Sequence, residues 1–256
     1  MSIRNLFAKL LVVAVGLLLF TLGTDVHAKK GPKTNSPSEP AALKDPLGMQ
    51  PKALQWGQSH KEVAKVYYDV IDKDYLPKWE TVQPGVQMKD LEAEIEAKKA
   101  EILQSKVDFA DLPTNLDGTP FVGEFTYRNQ ESMMTIDRKG YKRSLFFIRG
   151  KLWKVVDVYP YGEKARFGKD FKTAQEKLEK SLTVPGRATE AKPDVNRHKE
   201  IDWQDAKTHL RLVDWSEKAT ALIYEDRETA NNIASMRTAK QGESKEIDPV
   251  TKSVLR

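Results

Sequence analysis

The apolar residues that follow residue 59 recur with the period of an α-helix. Ser59-His60-Lys61-Glu62 matches a capping box, in which the serine hydroxyl accepts from an early backbone N–H and the glutamate reaches back to the cap. The pattern predicts a helix that begins there, leaves His60 exposed and ends at Pro77, and a second helix over about 88–105. The predicted buried positions are Val63, Val66, Tyr67, Val70 and Ile71 in the first helix and Met88, Leu91, Ile95 and Ile102 in the second.

Beyond Pro113 and the turn signal Asp117-Gly118, the apolar residues change to a period of two. Such alternation is typical of strands that are buried on one face. Tight reversals are expected at Lys139-Gly140 and Gly150-Lys151. The pattern therefore predicts an antiparallel meander with strands over 121–128, 131–137, 141–149 and 151–159.

A second unit, in which a helix is again followed by strands, is predicted further along the chain. Asp170 is placed to cap a helix that carries apolar residues at helical spacing and stops at Pro185-Gly186. Alternating segments then predict strands over 201–203, 207–213 and 218–224, and a closing helix over 226–236. The predicted fold class is α+β, with two helix-plus-antiparallel-sheet units over 53–165 and 166–237.

The chain begins with the three-part pattern of a secretory signal peptide. Arg4 and Lys9 precede an apolar run over 10–20, and small residues precede a cleavage point after Ala28. The run is shorter than the ~20 apolar residues that a membrane-spanning helix needs. We therefore predict a cleaved signal peptide over 1–28 and a periplasmic or secreted protein, with an uncleaved N-terminal anchor as the alternative.

Two polar segments flank the predicted folded region. Residues 29–52 are rich in proline and polar side chains, and residues 238–256 lack an apolar period. Segments of this composition bury too little apolar surface to offset the loss of chain entropy. We predict a disordered linker over 29–52 and a disordered tail over 238–256.

Composition excludes several classes of function. Among 256 residues there are 42 Lys plus Arg and 37 Asp plus Glu, and this mixed balance of +5 does not favour a nucleic-acid partner. The absence of cysteine excludes disulfides, thiolate metal sites and the lipid-bearing cysteine of a lipoprotein. The sequence also contains neither a paired-histidine zinc motif nor a glycine-rich phosphate loop, so we predict no metal and no cofactor.

Two short motifs carry a family resemblance. Leu54-Gln55-Trp56-Gly57-Gln58-Ser59, followed by Glu62-Val63, is similar to an opening that recurs in small exported bacterial proteins, and 150–155 resembles a hairpin of such sheets. The chain thus resembles the SmpA/OmlA (BamE) and beta-lactamase-inhibitor-protein-like group. That resemblance implies a binding or assembly module of the cell envelope. The chain departs from the group in a long insertion over 73–111 and in its missing lipid-attachment cysteine.

Aromatic and basic residues are the candidates for an interaction surface. Aromatic rings anchor protein interfaces, and we assign Trp153 and Trp203 to the core. A basic patch at two hairpin ends, which includes Lys139 and Lys154, would suit an anionic surface, although lysines also protect sheet edges. The candidate interaction residues are Trp79, Tyr159, Tyr161, Trp215, Lys142, Arg143, Arg149 and Lys151.

These observations predict a non-enzymatic envelope module that binds another envelope protein. Two alternatives remain open: a hydrolase of cell-wall glycan or peptide that uses carboxylates among Glu124, Glu131 and Asp157, and a carrier of a small ligand between helices and sheet. The sequence alone specifies neither the partner nor the oligomeric state.

Overall fold

The computed structural model describes residues 39–110, 123–195 and 197–238. The predicted signal peptide, residues 29–38 of the predicted linker, and the predicted tail from residue 239 lie outside the described residues. Within the described ranges, none of the helices combines the length and the apolarity that crossing a membrane requires.

The described residues form four α-helices and nine strands, and the runs of consecutive strands between helices are those of an α+β protein, which confirms the predicted fold class. The helices are α1 (His60–Trp79), α2 (Val86–Gln104), α3 (Phe171–Leu182) and α4 (Arg227–Met236). The strands are β1 (Ala41–Ala42), β2 (Val107–Phe109), β3 (Glu131–Arg138), β4 (Tyr141–Ile148), β5 (Lys151–Pro160), β6 (Arg187–Thr189), β7 (Glu200–Gln204), β8 (Thr208–Ser216) and β9 (Ala219–Asp226).

All nine strands belong to one sheet. Its order is β1-β7-β8-β9-β5-β4-β3-β2, and β6 also pairs with β7. The two predicted units meet where β5 and β9 pair antiparallel, with Val156 opposite Ile223. Each strand thereby covers an edge that would otherwise expose unpaired backbone groups, so the two units share a single sheet.

The start of α1 has the predicted capping box. Ser59 N donates to Glu62 Oε2 at 2.7 Å, and Glu62 N donates to Ser59 Oγ at 3.4 Å. The predicted end at Pro77 differs, because α1 continues to Trp79. Pro77 lies in the last turn of the helix, where its missing N–H removes one hydrogen bond without interrupting a longer helical segment.

Buried side chains fill both faces of the sheet. The helices α1, α2 and α3 pack on one face, and α4 packs with residues 123–129 on the other. Trp153 and Trp203 are buried, as predicted. The helix-covered face of β8 carries Thr208, Leu210 and Leu212, in agreement with the predicted alternation.

The prediction of a first meander strand over 121–128 is wrong for the residues that the structure describes. Residues 121–122 lie outside the described part of the chain, and residues 123–128 form turns and bends without strand pairing. Phe125 nevertheless packs, because its ring stacks on Phe109 at a centroid distance of 3.8 Å. The aromatic residues of this segment are thus partly buried through ring contacts and not through a ladder of backbone hydrogen bonds.

Candidate functional site

Residues 41–58, which we call the strap, run against the sheet and lead into α1. Ala41 and Ala42 pair in parallel with Trp203 and Gln204, and Leu43 N donates to Gln204 O at 2.8 Å. At the other end of the strap, Gly57 N donates to Leu152 O at 2.8 Å. The second half of the predicted disordered linker is therefore held against the sheet and not disordered, because the edge of β7 supplies backbone partners for it.

Asp205, in the turn between β7 and β8, fixes the middle of the strap. Its carboxylate accepts from the backbone N–H groups of Leu47, Lys207 and Thr208, the last two at 2.6 Å. Asp205 is buried, so the three N–H donors replace the water that would otherwise solvate its charge. This carboxylate is thus a structural anchor that joins the strap to the sheet.

Trp56 is held against the same turn. Its Nε1 donates to Thr208 Oγ1 at 3.1 Å, while its half-buried ring packs on the core beneath α1. A tryptophan that is fixed in this way presents apolar surface without losing further side-chain entropy when a ligand binds.

A cavity of about 710 Å³ lies between the strap and the β7–β8 turn, and we call it the strap pocket. Its apolar wall comes from Pro46, Leu47, Met49, Leu54 and Trp56. Its exposed cationic groups come from Lys44, Lys52 and Lys207, none of which forms an ion pair with another described residue. The pocket therefore combines an apolar wall with a positive surface.

The chemistry of the strap pocket favours binding over catalysis. Its one lining carboxylate, on Asp205, is occupied by three backbone donors, and no histidine lines it. General acid–base catalysis needs a titratable group within reach of a reacting proton. Lysine ammonium groups and apolar side chains instead recognise an anion attached to an apolar body.

A second cavity, of about 400 Å³, contains a serine and a histidine. His60 Nε2 lies 2.8 Å from Ser132 Oγ, and the imidazole stacks on Phe147 at 3.9 Å. Burial and the charge of Lys106 lower the pKa of His60, which favours the neutral form of its ring. His60 is half-buried, which corrects the exposed position predicted for it.

This pair lacks the third group of a catalytic triad within the described chain. No carboxylate there contacts His60 Nδ1, and Ser132 is buried. The hydrogen bond connects the first turn of α1 to β3, so we assign the pair a structural role in seating the helix.

The three carboxylates considered for hydrolysis are all engaged in ion pairs. Glu124 contacts Lys154 and Arg211, Glu131 contacts Arg237, and Asp157 contacts Arg143. Burial raises the pKa of Glu124, but Lys154 and Arg211 outweigh burial and hold that pKa below its ordinary value. A general acid needs the opposite shift, so this arrangement does not favour the hydrolase.

Two of the predicted interaction residues are buried, which corrects their assignment to the surface. Arg143 forms an ion pair with Asp157, and Tyr159 stacks on Tyr141 at 4.9 Å and meets Phe167 edge-on. Both side chains point to the helix-covered face of the sheet, where alternation along β4 and β5 places them. Neither side chain is accessible to a partner.

The predicted basic patch is divided between two ends of the sheet. Lys142 lies beside the β3–β4 turn, whereas Arg149 and Lys151 lie at the β4–β5 turn. Successive turns of a meander lie at opposite ends of the strands. Since a strand rises by about 3.3 Å per residue, the eight-residue β4 separates Lys142 from Arg149 and Lys151. The prediction that these groups cluster is therefore wrong.

The remaining aromatic candidates are half-buried and do not converge. Trp79 packs on the core beneath α1 and α2, Tyr161 on the core beneath α3, and Trp215 on the opposite face of the sheet. Tyr161 also donates to Asp214 Oδ1 at 3.4 Å, and Trp215 lies 5.3 Å from His198. Their role in an interface stays a prediction.

The strap pocket is not among the sites predicted from the sequence. One signal was present, since Asp205-Ala206-Lys207-Thr208 between two strands is typical of a turn in which aspartate accepts from the following N–H groups. The lysines gave no such signal, because Lys44 and Lys207 are distant in sequence and meet only through the strap.

Comparison with known proteins adds no family assignment, because no family model, curated protein or solved structure matches this chain. The resemblance to the BamE-like and inhibitor-protein-like group therefore stays a prediction. In the part of the chain that the structure describes, no cluster of His, Asp and Glu has the arrangement of a metal site.

His209 gives the protein a pH-dependent contribution to stability. Its Nδ1 lies 3.1 Å from Glu225 Oε2, and its Nε2 lies 3.2 Å from Asp202 Oδ2. Burial and nearby Arg211 lower the pKa of His209, but the two carboxylates outweigh them and hold it above the ordinary value of 6.5. The charged imidazolium is therefore favoured in the folded protein.

Because the folded-state pKa is raised, this contribution is fully present below about pH 6.5 and is lost as pH rises through the folded-state pKa. We expect His209→Gln to reduce the free energy of unfolding more at about pH 5.5 than at about pH 8.5. Urea denaturation of both proteins at the two pH values measures this difference. An equal loss at both pH values contradicts the prediction.

Proposed function

We propose that this protein is an exported binding module and that the strap pocket is its binding site. The observation that carries the proposal is the combination of a cavity of about 710 Å³, an apolar wall and three lysines that lack an ion-pair partner in the described chain. Small-molecule sites typically have volumes of about 300–1,000 Å³ and a few polar groups that fix orientation.

The strap supports this proposal because it is fixed on both sides of the pocket. Pairing with β7, the Asp205 carboxylate and the hydrogen bond of Trp56 hold it against the sheet. A pocket that is already formed avoids the entropy cost of ordering its wall when the ligand enters.

Between the two non-enzymatic alternatives, the cavity favours a small-ligand carrier. An envelope protein as partner needs an interface of about 800 Å² on each side, with anchoring residues at its centre. The half-buried aromatic candidates lie on both faces of the sheet and supply no such centre. Export, which rests on the N-terminal pattern, and the absence of enzymatic activity are parts of the same proposal.

Binding of 1-anilinonaphthalene-8-sulfonate, an apolar anion whose fluorescence increases in apolar surroundings, tests the location of the site. We expect saturable binding to the native protein and at least about a tenfold loss of affinity in Gly48→Phe and Ala206→Phe. Both positions line the pocket, and a Cβ added at Gly48 meets no atom within 4 Å. Each substitution therefore adds a ring to the lining of the pocket, and at Gly48 the backbone has space for the new Cβ.

The matched control is Ala97→Phe, which adds the same ring to the exposed side of α2. We expect it to bind the probe as the native protein does. Undiminished binding by both pocket variants, with folding verified by urea denaturation, would exclude the strap pocket as the site.

A further inference from the structure

We infer that the ligand of the strap pocket is a single-chain amphiphile with an anionic head, such as a carboxylate or phosphate on an acyl or alkyl chain. This inference rests on the proposed function and names the class of ligand for the same site. It follows from the separation of charge and apolar surface within the pocket.

The charges that line the strap pocket favour an anionic head. Lys44, Lys52 and Lys207 each contribute one positive charge, and their side chains are exposed. The opposing charge is the Asp205 carboxylate, which is buried and saturated by three backbone N–H groups. A ligand head at the mouth therefore encounters a positive field that the pocket itself does not neutralise.

The apolar residues of the strap pocket favour an aliphatic chain. Met49 and Leu54 are buried, and Leu47 and Trp56 are partly buried beside them. The long stems of the lysines also contribute methylene groups to the wall while their ammonium groups reach water. A chain that enters this space loses contact with water, whereas its anionic head stays near the ammonium groups.

Charge and chain length make separate contributions that can be measured. Each buried methylene strengthens binding by about fourfold, since burial of one methylene is worth about 0.8 kcal/mol. An exposed ion pair adds about two- to fivefold and is weakened by salt. The ligand class therefore predicts a dependence on chain length and a separate dependence on charge and salt.

Isothermal titration calorimetry with sodium decanoate, dodecanoate and tetradecanoate, each below its micelle concentration, tests the inference on the full-length mature protein. We expect one site and an affinity that rises by about fourfold for each added methylene. Dodecyl phosphate is expected to bind comparably, and dodecyltrimethylammonium at least about tenfold more weakly than dodecanoate. Equal or tighter binding of the cationic amphiphile overturns the inference.

The charge requirement is tested by Lys44→Gln/Lys52→Gln/Lys207→Gln against Lys61→Gln/Lys73→Gln/Lys89→Gln. Both variants lose the same net charge, but the second changes exposed lysines of α1 and α2 outside the pocket. We expect at least about a tenfold loss of dodecanoate affinity in the first and less than about twofold in the second. Equal losses in the two would assign the effect to net charge and overturn the inference.

The source of the amphiphile is tested with vesicles of neutral phosphatidylcholine, with and without about 20% anionic phosphatidylglycerol. We expect tight binding of monomeric dodecanoate and little recruitment to either vesicle. Recruitment to anionic vesicles without binding of the monomer would overturn the inference, because the lysines would then act on a lipid surface and not at the mouth of a pocket. If only the ligand class is wrong, Gly48→Phe still weakens binding of the fluorescent probe. If the proposed function is wrong as well, Gly48→Phe has no effect on binding of that probe, so the two results are distinguishable.

Discussion

Replacement of Asp157 by asparagine is expected to lower the free energy of unfolding by about 3–5 kcal/mol. Arg143 and Asp157 are 3% and 1% exposed, and they are joined by two hydrogen bonds, Nε to Oδ1 at 2.6 Å and Nη2 to Oδ2 at 2.5 Å. The substitution leaves the guanidinium buried without a counter-charge. Water cannot reach the site to replace the carboxylate, so the cost of burying the charge is not offset.

The surroundings of this ion pair add to the expected loss. Arg143 Nη1 donates to Tyr67 Oη at 2.8 Å and also to the carbonyl of Gln50 in the strap. The guanidinium therefore joins β4 to α1 and to the strap. Rearrangement of Arg143 after loss of its partner would disturb three elements and not a single contact.

Urea denaturation measures this effect, and an exposed ion pair provides the control. Arg138 and Asp74 form an ion pair at 2.7 Å, with half of the Asp74 side chain exposed. We expect Asp74→Asn to cost only about 0–1 kcal/mol, because water solvates the remaining charge. The double variant Arg143→Met/Asp157→Leu is expected to recover part of the loss seen in Asp157→Asn. Similar costs for Asp157→Asn and Asp74→Asn would contradict the importance assigned to burial.

Replacement of Trp203 by alanine is expected to lower the free energy of unfolding by about 3–5 kcal/mol. Trp203 is fully buried beneath α3, and its Nε1 donates to the carbonyl of Val184 at 3.0 Å. The residue also pairs with Ala41, so it lies where the strap joins the sheet. Truncation removes a large apolar surface and leaves a cavity that the surrounding sheet fills only in part.

Gly186 shows how closely the chain approaches this ring. A Cβ built at Gly186 would lie 2.6 Å from a carbon of the Trp203 ring and 2.3 Å from Ile201 Cγ2. The loop after α3 therefore follows the indole surface at a distance that only glycine permits. The space left by Trp203→Ala would face this backbone, which is held by the rest of the fold.

Thermal or urea denaturation of Trp203→Ala is compared with Trp203→Phe and Trp79→Ala. Phenylalanine retains most of the apolar volume but leaves the carbonyl of Val184 without its donor, so a smaller loss is expected. Trp79 is half-buried, and its truncation is expected to cost less than half as much as that of Trp203. A loss in Trp203→Ala no greater than that in Trp79→Ala would refute the assignment of Trp203 to the core.

The local sequence determined the elements whose signals are contained in a short window. The capping box and apolar spacing placed the start of α1, and Asp170 placed the start of α3, where its side chain accepts from Thr173 N at 2.7 Å. The reversals at Gly140 and Gly150 placed the meander of β3, β4 and β5, since both glycines have positive φ. In each case the interacting groups are only a few residues apart in the chain.

Only the tertiary structure decided the short strands and the strap. The strand β1 has two residues and β2 and β6 have three each, so no period can be detected in them. Their backbone groups are satisfied by strands that are distant in sequence, as Ala41 is by Trp203. A polar composition alone predicts a linker, because it does not show which sheet edge is available to pair with it.

The candidate site also depends on contacts between residues that are distant in sequence. Alternation identified Arg143 and Tyr159 as strand residues, but the counter-charge of Asp157 and the ring of Tyr141 were needed to bury them. Lys44 and Lys207 meet at one pocket because Asp205 holds the strap to a turn that lies far along the chain. Hydrogen bonds within a few residues can be read from a sequence, whereas the meeting of distant side chains depends on the order of strands in the sheet.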